Sequence, residues 1–393
     1  MSLAPMSNTA NIIDPPPVFS LEVNLATLTS GLSTISKFVN RSSPILSNPS
    51  EYFVSITRLL VATQRIPLWQ PQLNTTSPNN NGLNTIYSVN LVYNGISSGQ
   101  VYMQVINSDA TVSAPPASVT TQPTNGWGDV FSYTTITQMV NTALATAYTQ
   151  LKTNLGAGYD LDANPPYMTW DDTTALFTMN CYPLSQYDQS TGSDVVSIYF
   201  NTEFKPFLLG WLLYTETNST NTTTGQDVLL TLRNDGNNYT PQESPPVFTP
   251  PDSTTVMLQM LQDISSPWCF VALNRIIVTS SLPIAYPTLT DLPLNLANLV
   301  TNNQSSPLLI DYLVNYSSGG SSAFQQPISY SATSDLFSAP IKLGGTQQLS
   351  SFSVGVFWQN LQGNIFPLET IGLRNSSLKL TFVHKSIIEQ GHL

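Results

Sequence analysis

The chain has 393 residues, of which 12 are Lys or Arg, 23 are Asp or Glu and two are His. Its charged fraction of 9% compares with about 25% in ordinary soluble domains, so the groups that most catalysis requires are scarce. The net charge of -11 argues against direct binding of nucleic acid, which needs clustered cations. The composition favours a structural or binding protein, and no cofactor or metal site is expected.

Residues 1–50 have the composition of an extended N-terminal arm. Prolines interrupt short apolar segments, and a run of three prolines begins at Pro15. Proline lacks a backbone donor and favours extended chain, so we expect the arm to lie on a surface, its own or a neighbour's. The residues predicted to contact a neighbouring subunit are Pro15, Pro16, Pro17, Val18 and Phe19.

From residue 51 onward, apolar and polar residues alternate in the manner of half-buried β-strands. A long strand is predicted at 51–67, and a hairpin at 86–106 around Asn94-Gly95. Further strands are predicted at 167–170, 175–182, 195–201, 207–214, 228–233, 268–280, 307–315, 348–358, 365–368 and 377–384. About a dozen short strands predict an antiparallel sandwich or barrel.

One segment has helical periodicity. Apolar residues between Ile136 and Leu151 recur at three- and four-residue spacing. Thr134 or Thr135 is the predicted N-cap, and Gly156 is the predicted stop. Residues 256–264 are predicted as a short amphipathic helix. The long helix stands alone among strands, so we expect it to cover the end of a sheet.

Candidate metal and acid–base residues are few. Asp160, Asp162, Asn164 and Asp171 follow the spacing of a calcium loop, but Pro165 stands where such a loop needs glycine. Turns are the preferred interpretation here. They are also preferred at Asp171-Asp172, because adjacent side chains of a strand point to opposite faces.

The thiols and imidazoles carry no recognisable motif. Cys181 and Cys269 could form one disulfide, but their apolar surroundings favour two small buried residues. His384 and His392 lie near the C-terminus, and no nucleophile motif points to them.

Four stretches between residues 50 and 385 share a pattern of strand-edge residues. They are 51–58 (EYFVSITR) with 66–68 (IPL), 165–167 (PPY) with 198–201 (IYFN), 266–268 (SPW) with 275–283 (RIIVTSSLP), and 357–368 (FWQNLQGNIFPL) with 377–382 (SLKLTF). The most specific piece is the hairpin that runs from Trp358 through Gly363 to Pro367 and Leu368. Together these stretches resemble the penton-type minor capsid proteins of polinton-like viruses and virophages.

The resemblance implies an all-β fold, an antiparallel jelly-roll sandwich with one covering helix. The jelly-roll capsid domain would span 51–393, with a β-rich insertion at about 108–265. The implied function is that of a non-enzymatic virion structural protein, a vertex (penton) or minor capsid protein made and assembled in the host cell. Its implied partners are four further copies in a homopentamer and the neighbouring capsid proteins of an icosahedral shell. No membrane-spanning segment is expected, because the longest apolar run, near 207–213, is too short.

The residues alone leave other functions open. Aromatic and amide side chains also suit a carbohydrate- or receptor-binding β-sandwich of the adhesin or fibre-head type, which would show several exposed aromatics in one concave site. The length also fits a double jelly-roll major capsid protein. A glycoside hydrolase would have to use Asp171, Asp172 or Glu203.

Overall fold

A computed structural model describes most of the chain. The described residues are 16–25, 32–34, 36–63, 66–74, 82–106, 127–190, 192, 194–216, 227–233, 257–264, 269–291, 305–313, 327–331, 340–361, 363, 365–371 and 376–389. The chain divides into two compact units. Unit 1 comprises Met1–Ile66, Leu273–Tyr316 and Ala323–Leu393, and unit 2 comprises Pro67–Ala272 and Ser317–Ser322.

Short strands make up most of the regular structure. The strands are β1 (Val18–Asn24), β2 (Leu32–Thr34), β3 (Ser36–Asn40), β4 (Tyr52–Val61), β5 (Asn84–Tyr93), β6 (Ile96–Ser97), β7 (Val101–Gln104), β8 (Tyr167–Asp171), β9 (Leu176–Cys181), β10 (Ser197–Asn201), β11 (Leu213–Glu216), β12 (Asp227–Leu230), β13 (Leu258–Leu261), β14 (Leu273–Ser280), β15 (Leu289–Asp291), β16 (Ser305–Leu313), β17 (Ile328–Ser331), β18 (Ile341–Lys342), β19 (Ser351–Asn360), β20 (Ile365–Pro367), β21 (Glu369–Ile371) and β22 (Ser377–His384). The α-helices are α1 (Tyr133–Leu155), α2 (Leu184–Tyr187) and α3 (Lys385–Glu389), and 3₁₀ turns lie at Pro49–Glu51, Gly156–Gly158 and Thr202–Leu208.

Unit 1 is the jelly-roll sandwich, and all of its strand pairs are antiparallel. Its first sheet has the order β1-β22-β4-β17, with β18 also paired to β4. Its second sheet has the order β15-β16-β14-β19-β20, with β3 also paired to β19. A further small pair joins β2 to β21. This confirms the predicted all-β antiparallel class.

The core of unit 1 follows from two-residue periodicity. In β19 every second residue from Phe352 to Asn360 is buried, while the residues between them are only partly covered. The C-terminal strand β22 buries Leu378, Leu380 and Phe382 completely. It lies between β1 and β4 and pairs with both along its whole length, so the first and last described strands share one sheet.

The described part of the predicted arm belongs to these sheets. Strand β1 pairs with β22 from Val18 to Asn24, and β3 pairs with β19. Leu21 and Val23 alternate with exposed residues and are buried. An alternating apolar segment gains free energy by burying one face, which is why these residues pack into the sandwich.

Unit 2 contains two more antiparallel sheets and the long helix. One sheet has the order β11-β12-β10-β5-β6, with β7 also paired to β5, and the other has the order β13-β9-β8. Helix α1 packs against β5, β7 and β8. Unit 2 combines a six-stranded with a three-stranded sheet, whereas unit 1 has a five-stranded and a six-stranded sheet and one further strand pair. The described parts of the two units are therefore not repeats of one another, which argues against a double jelly roll. The predicted insertion at about 108–265 falls within unit 2.

The ends of α1 are set by local hydrogen bonds. The predicted N-cap was wrong by two residues or more, because Ser132 holds the extended backbone of a cap and its side chain accepts the Thr135 N–H at 3.1 Å. Gly156 ends the helix with a positive φ of 72°, which confirms the predicted stop. The predicted hairpin turn is also confirmed, since Asn94 and Gly95 both have positive φ.

Two predictions of secondary structure in unit 2 were wrong. Residues 256–264, predicted as a helix, contain β13, in which Leu258 and Met260 are buried and pair with β9. Residues 207–214, predicted as a strand, contain the end of a 3₁₀ turn and only the beginning of β11. In apolar segments this short, periodicity alone does not distinguish a helix from a strand.

Aromatic rings fill the core of unit 2. Phe270 lies at the centre of this cluster, with ring centroids 4.7 Å from Phe207 and 5.5 Å from both Trp69 and Phe177. Close by, the backbone N–H of Ala272 donates to the carbonyl of Leu68 at 2.9 Å. The two ends of the Pro67–Ala272 segment of unit 2 are therefore adjacent.

The central position of β22 gives a direct test of the fold. Leu380→Ala removes a fully buried side chain and is expected to lower the free energy of unfolding by about 2–5 kcal/mol. Lys379→Ala, on the opposite face of the same strand, should cost less than about 1 kcal/mol. Urea unfolding followed by fluorescence measures both, and equal effects would contradict the assigned faces.

Candidate assembly interface

The predicted contact residues lie at the start of β1, on the edge of the first sheet of unit 1. Pro15 is outside the described residues, and Pro16, Pro17 and Val18 are exposed. The carbonyl of Pro17 accepts the backbone N–H of His384 at 2.7 Å, which anchors this segment to β22. The exposed side chains remain available to a neighbour.

Phe19 is placed differently from the other predicted contact residues. Its ring stacks on Phe382 at 5.0 Å with an interplanar angle of 12° and meets the edge of Tyr52 at 6.3 Å. These partners belong to β22 and β4 of the same sheet, so the ring already packs within its own unit. Its role in a subunit contact stays a prediction.

The outer face of the first sheet carries a row of polar side chains. Glu22, Lys379 and Arg58 are register partners on β1, β22 and β4, and the carboxylate of Glu22 accepts a hydrogen bond from Arg58. The two side chains are about half exposed, so their pairing stabilises the fold by little. Lys379 thus points away from the core, as its neighbours Leu378 and Leu380 predict.

A shallow depression on this face bears on the carbohydrate-binding alternative. Its lining includes Glu22, Arg58 and several serines, and it contains one aromatic side chain, the half-buried Tyr330. The Tyr330 ring lies 5.5 Å from that of Tyr312. This depression lacks the group of exposed aromatic rings that the alternative requires.

His384 caps a short helix. Its Nδ1 lies 2.7 Å from the hydroxyl of Ser386 and accepts the Ser386 backbone N–H at 3.3 Å, at the start of α3. Its Nε2 is 3.9 Å from Glu51, whose carboxylate accepts a hydrogen bond that raises the pKa of Lys385. Because His384 and Ser386 are only two residues apart, these contacts form a local capping turn. His392 lies outside the described residues.

The acidic candidates form turns, as predicted. Asp162 Oδ1 accepts the backbone N–H of Asn164 at 2.9 Å. Asp171 accepts the Thr173 N–H and the Thr174 hydroxyl, both at 2.8 Å, and these bonds lower its pKa.

The carboxylate of Asp172 instead accepts a hydrogen bond from the indole N–H of Trp170 at 2.6 Å, so the two adjacent carboxylates have different partners. Glu203 is exposed at the 3₁₀ turn of unit 2. Within the described ranges, no three His, Cys, Asp or Glu side chains form a group that could hold a metal ion.

The two cysteines are free thiols in unit 2. Burial raises the pKa of Cys269 to about 11 and that of the fully buried Cys181 still further. The interpretation as small packed residues is confirmed for Cys181, whereas Cys269 is only half-buried. None of the helices in the described part of the chain combines the length and apolar character that a bilayer-spanning helix requires.

The second sheet of unit 1 exposes large apolar side chains at its edges and in the turn that follows β19. Phe38 of β3 is 63% exposed and Leu361, directly after β19, is 59% exposed. On the other side, Leu289 of β15 is 56% exposed and Leu313 of β16 is 68% exposed. These residues were not predicted from the sequence, because alternation identifies a strand but not its position in the sheet.

Comparison with known proteins identifies the family. A family model described as Sputnik minor capsid protein V18/19 matches residues 19–384. The chain belongs to this family. It is also 40% identical over 124 residues to the uncharacterized protein V18 of Sputnik virophage, an alignment that covers 30% of this chain and 72% of that protein.

Solved structures show the same fold. A chain of the 3.5 Å cryo-EM structure of the Sputnik virophage matches with a TM-score of 0.76 and 27% identity, covering 95% of this chain and 99% of that one. The crystal structure of the selenomethionine-labelled mavirus penton protein matches with a TM-score of 0.58 and 14% identity, covering 93% and 98%. At 14% identity, the second match shows similarity of fold alone.

Family membership gives the function at a coarse level. The chain is a minor capsid protein, a structural component of the virion. The predicted resemblance to penton-type minor capsid proteins is confirmed. Exposed apolar edges and a polar outer face are therefore surfaces that can meet neighbouring proteins of a shell.

Buried tyrosines give unit 2 a dependence on alkaline pH. Burial raises the pKa of Tyr87 to about 12, above the value of about 10 in an unfolded chain. This difference in pKa stabilises the folded state fully below pH 10. The stabilisation is lost as the pH rises from 10 to 12, because Tyr87 then ionises only in the unfolded state. For Tyr87 this stabilisation is about 3 kcal/mol.

Tyr87→Phe should therefore weaken this pH dependence. Urea unfolding at pH 9 and pH 11.5 measures it, with Tyr286→Phe as the control because Tyr286 is 83% exposed. The same loss of stability in Tyr87→Phe and the parent protein would show that Tyr87 is not responsible.

Proposed function

We propose that this minor capsid protein forms a homopentameric vertex unit of an icosahedral shell and acts by holding its neighbours in place, without catalysing a reaction. The observation that carries the proposal is a single jelly-roll sandwich whose second sheet keeps both edges uncovered in the described residues. Two unlike edges suit a head-to-tail contact, and such contacts produce rings when the rotation closes.

The fold comparison supports five as the number of subunits. The mavirus protein of similar fold is a penton protein, and the match covers nearly the whole of both chains. Penton describes a unit at the five-fold vertices, so the same architecture supports the same position for this chain. Its contacts there would extend to the neighbouring capsid proteins.

The composition supports a role in protein–protein contacts rather than in catalysis. Only 9% of residues are charged, and neutral polar and aromatic side chains enter an interface without the desolvation cost of ions. A net charge of -11 supports a position away from the packaged genome, because a protein that contacts phosphates needs positive charge.

Light scattering after size-exclusion chromatography tests the pentamer. The expected mass is five times the 42.9 kDa of one chain, and negative-stain images should show five-fold rings. Unfolding with urea should return the mass of one chain. A folded protein that stays monomeric at the concentrations used for particle assembly would contradict the proposal.

The N-terminal contact has a separate test. Deleting residues 2–16 leaves β1 intact, since β1 begins at Val18, and should shift the melting temperature by no more than about 2 °C. Incorporation into particles should be lost if Pro15, Pro16 and the segment before them contact a neighbour. A Gly/Ser segment of equal length is the control for chain length. Normal incorporation of the deleted chain would contradict this contact.

A further inference from the structure

A row of three charged side chains crosses the outer face of the first sheet of unit 1. Glu22, Lys379 and Arg58 lie opposite one another on β1, β22 and β4, so Lys379 has an anionic register partner on one side and a cationic one on the other. Charges are scarce in this chain, at 9% of residues, and three in adjacent positions set this part of the face apart. The row contains two cations and one anion.

The single carboxylate of the row is bound to Arg58 and not to the nearer Lys379. Neighbouring strands lie about 4.8 Å apart, so the side chains of Glu22 and Arg58 have to meet above β22, the strand that carries Lys379. The described part of the chain offers the Lys379 ammonium no hydrogen-bond or ion-pair partner. Like charges on directly opposed residues repel, and the row is therefore short of one carboxylate.

The shallow depression beside this row offers neutral donors that suit the same ligand. It has a volume of about 540 Å³, and its lining includes Arg58 and the hydroxyl side chains of Ser329, Ser331 and Ser377. Ser329 and Ser331 are exposed. A carboxylate accepts hydrogen bonds from ammonium, guanidinium and hydroxyl groups, and the bonds from the two cationic groups are the strongest. This part of the face can therefore bind carboxylate and other polar groups of an extended segment.

We infer that this polar face, formed by Arg58, Lys379 and the serine-lined depression, binds an acidic segment of a neighbouring capsid protein. A carboxylate of that segment pairs with Lys379 and relieves its repulsion from Arg58. Two cations in a chain of net charge -11 suit a few carboxylates, whereas nucleic acid needs clustered cations. The inference rests on the proposed contacts with neighbouring capsid proteins and is independent of the number of subunits in the vertex unit.

Binding of a synthetic peptide tests the charge complementarity. The probe is a fluorescein-labelled peptide of alternating Glu and Ser, and the control peptide has Gln in place of every Glu. Fluorescence anisotropy should show saturable binding of the acidic peptide to the parent protein. This binding should weaken as NaCl is raised from about 50 mM to about 300 mM, because salt screens exposed charges. Equal binding of the two peptides, or binding of neither, would overturn the inference.

Two variants of the row should change this binding in opposite directions. Lys379→Gln removes the unpaired ammonium and should weaken binding of the acidic peptide about tenfold. Glu22→Gln leaves both cations without an internal carboxylate and should strengthen binding by a similar factor, a change that a purely structural role would not produce. Lys342→Gln is the matched control, because Lys342 is an exposed lysine of β18 in the same sheet. Equal weakening by Lys342→Gln and Lys379→Gln would contradict a specific site.

Incorporation into particles tests the partner. Lys379→Glu should reduce incorporation about tenfold or more, because two carboxylates then face each other, whereas Lys342→Glu makes the same change of net charge and should be incorporated like the parent. Both variants should keep the parent's mass in light scattering, which separates this test from that of the pentamer. Normal incorporation of Lys379→Glu would overturn the inference. A loss of mass in Lys379→Glu alone would also overturn it, by assigning the carboxylate to another copy of the chain.

Discussion

The jelly roll depends on the pairing of its last long strand with strands from the beginning of the chain. Strand β22 lies between β1 and β4 and buries Leu378, Leu380 and Phe382. More than 300 residues separate these partners, and unit 2 intervenes in the sequence. Contacts of such high sequence separation form slowly, so the first sheet stays incomplete, with unpaired strand edges, until the whole chain has been made.

The same arrangement explains how the molecule can serve assembly. The two sheets of unit 1 bury alternate residues in the interior, and exposed apolar side chains such as Phe38 and Leu313 lie on strands at the lateral edges. Low charge reduces the desolvation cost of covering them. The contacts proposed for this capsid protein therefore depend on where its sheets end.

Much of the fold could be predicted from the sequence. Period-two alternation in β19 and β22 and the helical spacing of α1 identify these elements, since each buries one continuous face. The sequence could not place β13, whose four residues have no distinctive period, nor the N-cap at Ser132 among several hydroxyl residues. The edge residues Phe38 and Leu289 escaped prediction because exposure depends on strand order, which long-range pairing decides.

The hydrogen bond from Ala272 to Leu68 brings together the two ends of the Pro67–Ala272 segment of unit 2. A module whose entry and exit are adjacent can be lengthened, shortened or replaced while the strands that precede and follow it keep their places, as in tolerated domain insertions. The sandwich of unit 1 and this segment of unit 2 can consequently evolve under separate selection. Grafting a foreign domain between these two residues is thus a rational route to decorated particles.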